Sequence, residues 1–218
     1  MGGSVSVYPT KKDTLSEKIA ADNKIKSNYS PHSDSATDDS SVGDENKKLD
    51  EYIGEKDLEG IPEGNGIMYY SNGSIYDGSW HAGKPHGKGK YKYCRGSVYE
   101  GNFFDGRQNG FGICHFANQE TYEGEWRVGL RHGKGKYCYY SGDIYEGEYL
   151  NDAAEGNGKY MFFNGDIYEG NYKKGNRHGK GKYTYACGDS YEGDFFVNKF
   201  DGFGKYTYAN GDWYEGMI

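Results

Sequence analysis

Tyr122-Glu-Gly-Glu-Trp-Arg-Val-Gly-Leu-Arg-His-Gly-Lys-Gly-Lys-Tyr-Cys-Tyr-Tyr-Ser-Gly-Asp-Ile144 is the stretch that decides how this chain folds. Successive side chains of a strand alternate between its faces. Tyr122, Gly124 and Trp126 therefore share one side and Glu123 and Glu125 the other. In Gly133-Lys-Gly-Lys-Tyr-Cys-Tyr139 the two Gly and two Tyr share a side opposite the Lys. A Gly-containing turn between the two segments makes them a β-hairpin. Glycine on the ring-bearing side lets the rings lie against backbone, an approach that a Cβ would block.

The same pattern recurs in both directions. Tyr76, Tyr99, Tyr122, Tyr145, Tyr168, Tyr191 and Tyr214 are spaced by 23 residues without an insertion. Such a period is the mark of a repeat architecture in which stacked units bury together what one unit exposes. The full units are 76–98, 99–121, 122–144, 145–167, 168–190 and 191–213. A degenerate copy at 52–75 precedes them and a partial one at 214–218 follows. The predicted fold is all-β: an elongated solenoid of stacked antiparallel β-hairpins over 61–218, preceded by a disordered N-terminal segment, 1–60. With 24 Tyr and 36 Gly among 218 residues and only 34% apolar content, burial must come from aromatic bodies rather than an aliphatic core.

The repeating residues resemble the MORN (membrane occupation and recognition nexus) repeat, Tyr-Glu-Gly-x-Trp-x-x-Gly-x-x-His-Gly-x-Gly. The resemblance covers residues 62–218. It implies a scaffold, as in membrane-junction proteins, cortical scaffolds of protists, myosin-binding modules and ciliary radial-spoke heads. It also implies an alternative, a regulatory module related to a phosphatidylinositol-phosphate kinase or a lysine methyltransferase, since such repeats precede catalytic domains there. A reading frame running past Ile218 into a catalytic domain would select that alternative.

Residues 31–60 hold three Lys and ten acidic residues, so the net charge of −7 is concentrated in one linker. Its polar run, Ser33-Asp-Ser-Ala-Thr-Asp-Asp-Ser-Ser41, has little to bury and cannot offset the entropy of ordering. Thr14-Leu-Ser-Glu17 reads as a capping box opening a short helix near 14–26. Met1-Gly-Gly-Ser-Val-Ser6 fits the N-myristoylation pattern, making Gly2 the lipidation candidate. One myristoyl chain binds membranes marginally, so anionic phospholipid contacts from Lys11, Lys12, Lys18, Lys24 and Lys26 would be the second signal. The expected location is the cytoplasmic face of a membrane or the cortical cytoskeleton. The acidic balance argues against a nucleic-acid partner. Cys94, Cys114, Cys138 and Cys187 form no CxxC pair, which fits reduced thiols.

Nothing in the sequence points to catalysis. Each candidate acid recurs with the repeat, whereas a catalytic residue is unique. No glycine-lysine run such as His132-Gly-Lys-Gly-Lys136 completes a phosphate loop. We therefore expect a non-enzymatic adaptor with protein partners, and no cofactor. The eleventh position of successive units reads Glu63, His86, Asn109, His132, Glu155, His178, Asp201. Four strands at about 4.8 Å put successive His roughly 19 Å apart, too far to share a metal.

The sixth position alternates in step with the eleventh. It is Phe104, Leu150 and Phe196 in even units and His81, Arg127 and Lys173 in odd ones. Opposite an inward fifth residue, the apolar three are expected to face outward as a partner-binding row, or else to fold back on a neighbouring hairpin. Lys84, Lys88, Lys90, Lys92 and Arg95 are the candidate anion patch. The unfinished last unit predicts a sheet edge that is either capped by Met217 and Ile218 or paired in a homodimer.

Overall fold

The computed structural model describes residues 49–218, and every element in that span is a β-strand. The expected helix near 14–26, the acidic run from Ser33 and the lipidation candidate Gly2 all lie outside the described residues. The strands are β1 (Glu51–Lys56), β2 (Pro62–Tyr69), β3 (Ile75–His81), β4 (Lys84–Lys92) and β5 (Val98–Phe104). They continue with β6 (Arg107–His115), β7 (Thr121–Arg127), β8 (Leu130–Cys138), β9 (Ile144–Leu150) and β10 (Ala153–Met161). The last five are β11 (Ile167–Lys173), β12 (Asn176–Thr184), β13 (Ser190–Phe196), β14 (Lys199–Thr207) and β15 (Trp213–Met217). All fifteen lie in one antiparallel sheet in sequence order.

The ordered sheet starts at Glu51, inside the stretch assigned from sequence to the tether. β1 pairs with β2 from Glu51↔Tyr69 to Lys56↔Pro62. Its Tyr52-Ile-Gly54 keeps the ring and glycine but has Ile for Glu and Lys56 for the aromatic. The strand logic survives where the motif has decayed, and Tyr52 still packs edge-on against Trp80, centroids 5.2 Å apart.

Two turns alternate along the ribbon. Inside each full unit a two-residue turn has both φ values positive, as in Val128 (53°) and Gly129 (84°), the type I′ geometry whose twist matches paired strands. Between units a three-residue connection ends on a left-handed residue, glycine everywhere but at Gln119 (φ 71°). Gly142 (φ 89°) donates its N–H to Tyr139 O at 3.0 Å, while Tyr139 donates to Asp143 O at 2.9 Å. Within the hairpins the register slips. Trp126 faces Arg131 and Gly124 faces Gly135, so His132 and Gly133 (φ 60°) form a bulge out of the ladder.

One face of the sheet carries the core. The Tyr at the first position of every full unit is almost wholly buried, and from Tyr76 to Tyr168 each meets two fifth-position aromatics edge to face. Tyr122 meets Trp126 of its own strand at 5.1 Å and Tyr149 of the next unit at 5.2 Å. Repetition makes an unbroken zigzag ending at Tyr191 and Phe195. Each such pair contributes about 0.5–1.5 kcal/mol beyond the area it buries. At the chain's end, Ile218 donates its N–H to Gly202 O at 2.8 Å and packs against this core.

Candidate functional site

The glycines are legible in what a side chain would meet there. A Cβ on Gly135 would lie 2.3 Å from the Tyr122 hydroxyl, and one on Gly124 would lie 2.5 Å from the Gly135 Cα. The ring thus rests on two strands at once. Its hydroxyl donates to Glu125 O at 2.9 Å. Burial pushes the hydroxyls of Tyr76, Tyr99, Tyr122, Tyr145 and Tyr168 well above the usual phenol range, and that of Tyr191 up to about 12. The same cause raises the Cys114 thiol to about 12, so this cysteine is a small apolar filler rather than a nucleophile.

Acids at the position before β7, β9, β11 and β13 tie units together. Asp166 accepts from the Tyr183 hydroxyl at 2.6 Å and from Ala186 N–H at 2.9 Å. Asp143 does the same for Tyr160 and Phe163, and Asp189 for Tyr206 and Ala209. These carboxylates, two of them buried, are structural clamps between repeats.

The bulge explains the two-unit alternation. By leaving the ladder, the eleventh residue of one unit reaches the sixth and seventh residues of the next. Glu63 lies 3.1 Å from His81 Nδ1 and accepts Ala82 N–H at 2.9 Å, and Glu155 accepts Lys174 N–H at 2.8 Å. Where the eleventh residue is His, the sixth is apolar. The rings of His86 and Phe104 lie 5.1 Å apart, and those of His178 and Phe196 lie 5.3 Å apart. Phe104, Leu150 and Phe196 nevertheless stay 60%, 48% and 56% exposed. Phe104 and Phe196 thus lie against a histidine of the neighbouring hairpin and are still exposed, and Leu150 is exposed.

The five anion-patch candidates are exposed but not gathered. Lys88, Lys90 and Lys92 alternate along the polar face of β4, while Lys84 and Arg95 sit at opposite ends of the hairpins. Lys84 is paired with Asp105, and Lys90 with Glu100 at 3.2 Å. The broad polar depression farther along the same face is lined by alternating Lys180, Lys182 and Lys205 and Glu169, Glu192 and Glu215, with Lys180 bound to Asp194 at 2.9 Å. Among the described residues, no group of three or more His, Cys, Asp or Glu is placed to hold a metal.

Buried arginines on the aromatic face went unread in the sequence. Arg131, 7% exposed, stands over the rings of Tyr122, Tyr137 and Tyr149, and its Nε donates to Asp152 at 3.0 Å. Arg177 is placed alike over Tyr168, Tyr183 and Phe195, against Asn198. The available signal was their separation of 46 residues, the same two-unit period seen at the sixth and eleventh positions.

The model of the MORN repeat matches seven consecutive segments, at 52–75, 76–98, 99–121, 122–144, 145–167, 168–190 and 191–213. The chain belongs to the MORN-repeat family. The first MORN unit is therefore 52–75, as β1 and β2 form it. No curated protein matches the chain. Among solved structures, the SAS-4 (dCPAP) TCP domain of Drosophila melanogaster, in complex with a proline-rich motif of Ana2 (dSTIL), is 14% identical. That match covers 84% of this chain and 99% of that one, with a TM-score of 0.49. The wild-type TCP10 domain of Danio rerio CPAP is 13% identical over 75% of this chain and 76% of that one, with a TM-score of 0.42. Likeness of that degree assigns the MORN ribbon neither a partner nor an activity.

Proposed function

We propose that this protein is a non-enzymatic scaffold that binds a partner protein along its sheet and is linked by its N-terminal region to a membrane or the membrane-associated cytoskeleton. The observation that carries the reading is the row of Phe104, Leu150 and Phe196, all substantially exposed at the same register position of alternate repeats. Four strands separate neighbours in the row, a spacing of roughly 19 Å, so a partner must contact several repeats to cover it. The surrounding residues are charged, and apolar anchors within a polar surround are the composition of a protein interface. Val128 and Val197, exposed β-branched residues held at φ 53° and 47°, lie along the same turn edge.

The linkage rests on Met1-Gly-Gly-Ser-Val-Ser6 and the lysines that follow. Acylation of Gly2 supplies a first attachment, and the basic N-terminal stretch on anionic lipid supplies a second. Replacing Phe104 and Phe196 by Ser is expected to remove the partner from a proximity-labelling or pulldown profile while the circular dichroism spectrum stays unchanged. An unaltered partner profile would count against the row. Membrane fractionation of a Gly2→Ala variant tests the tether separately, and unchanged partitioning would eliminate it.

A further inference from the structure

A cavity of about 510 Å³ opens on the aromatic face between Arg131 and Arg177, and one residue creates it. At the tenth position of successive full units the chain has Pro85, Gln108, Arg131, Ala154, Arg177 and Phe200. Gln108 spends its amide on the Tyr93 hydroxyl, and Phe200 stacks on Tyr191 at 4.0 Å. Ala154 alone, flanked by two arginines, leaves the space unfilled.

Two groups in the wall are chemically unfinished. Arg177 is 6% exposed and donates to Asn198 O at 2.6 Å, yet among the described residues it has no carboxylate partner. Asn198 stands where Asp152 neutralises Arg131, so the second arginine keeps an uncompensated charge. Tyr149 is 5% exposed, and its buried hydroxyl has no hydrogen-bond partner. A buried guanidinium without an anion and a buried hydroxyl without an acceptor are both costly, and a carboxylate completes either.

We infer that the Ala154 cavity is a receptor site for a glutamate side chain carried by an extended segment of a partner protein. The carboxylate takes the fork of Arg177, while the methylene stem lies among Tyr172, Phe162 and Ala154. Charge selects this occupant. Asp152 is already spent on Arg131, and Asp143 accepts from the Tyr160 hydroxyl and Phe163 N–H, so the one guanidinium without a carboxylate matches a single negative charge, and the two wall carboxylates disfavour a phosphate dianion more than a monoanion. The site lies on the aromatic face, apart from the exposed row, and does not depend on it.

The test uses the full chain and a fluorescein-labelled, C-terminally amidated peptide, Ser-Leu-Glu-Leu-Ser, with its Gln counterpart, read by fluorescence anisotropy. The Glu peptide binds at least about tenfold more tightly than the Gln peptide, the difference expected for a charged hydrogen bond. Arg177→Gln erases that difference. Ala154→Phe, which repeats the residue already accommodated at Phe200, removes binding and leaves the melting temperature in place. Equal binding of the two peptides, no binding of the Glu peptide, or full binding to the Ala154→Phe variant would overturn the site. Displacement of the peptide by millimolar inorganic phosphate would overturn the carboxylate assignment.

Discussion

The hydroxyl of Tyr122 donates to the carbonyl oxygen of Glu125, three residues ahead in its own strand, at 2.9 Å. The bond recurs from Tyr76 to Ser79, Tyr99 to Asn102, Tyr145 to Glu148, Tyr168 to Asn171 and Tyr191 to Asp194. A tyrosine side chain that folds back along its own strand lays its ring across the next one, and only glycine fits beneath it. Ring and glycine are one device.

Gly135→Ala therefore drives a methyl group into a ring that is fixed at both ends, at an expected cost of about 2–3 kcal/mol. Gly106, with φ 82° and nothing within 4 Å of an added Cβ, is a different glycine. Asn198 fills the corresponding turn position at φ 69°, so Gly106→Asn should cost less than about 0.5 kcal/mol. Urea denaturation of the two variants should separate them, and equal losses would refute the distinction.

Asp152 does two jobs at once, accepting the backbone N–H and the Nε of Arg131, each at 3.0 Å. Asp152→Ala strands a buried guanidinium and is expected to cost about 2–3 kcal/mol, the low side for a buried pair because the carboxylate is a third exposed. Asp152→Asn reproduces the arrangement of Arg177 with Asn198 and should cost about 1 kcal/mol. The order of the two urea midpoints is the check.

Val128 is a β-branched residue in the left-handed region at the first position of a type I′ turn, where Asn is favoured. Val128→Asn should stabilise the protein by about 1 kcal/mol, raising the melting temperature by roughly 2–4 °C. Asn151 already occupies the same position one repeat on. A lowered melting temperature would show that the valine side chain contributes packing that outweighs the backbone strain.

Burial raises the folded-state pKa of Tyr70 and Tyr191 to about 12, and of Tyr76, Tyr99, Tyr122, Tyr145 and Tyr168 higher still. Raised phenols keep their protons in the native state after the unfolded chain has lost them. Their stabilisation is thus complete below the unfolded pKa near 10 and is lost as pH rises toward the folded values. Melting temperature should be insensitive to these groups from pH 7 to about 9.5 and fall steeply above about pH 10. The tyrosinate absorbance of the buried rings should appear together with unfolding, and its appearance beforehand would contradict the assignment.

The repeat, its unit boundaries and the inward set of Tyr122, Gly124 and Trp126 were all readable from alternation, because a strand's faces follow directly from residue parity. Where parity breaks, the reading stopped. His132 and Gly133 form a bulge that parity counts as ordinary strand, so the eleventh residue's reach to the sixth residue of the next repeat was hidden. The decayed motif around Tyr52 obscured β1, because its ring and glycine stand 24 residues before Tyr76 and Gly78, one residue out of phase with the 23-residue period. Arg131 and Arg177 escaped notice because an arginine reads as surface until its three aromatic neighbours, drawn from three different strands, are brought together by the stack.

Each strand here is bonded only to its neighbours in the chain, from β1 at one edge to β15 at the other. Tension applied between the two edges would act along the interstrand hydrogen bonds, loading them one pair at a time rather than all at once. Such a ribbon lengthens by shedding hairpins in steps while the rest of the sheet keeps its shape. A ribbon of this construction yields progressively under mechanical load, and its middle repeats keep their packing while hairpins are lost from either edge.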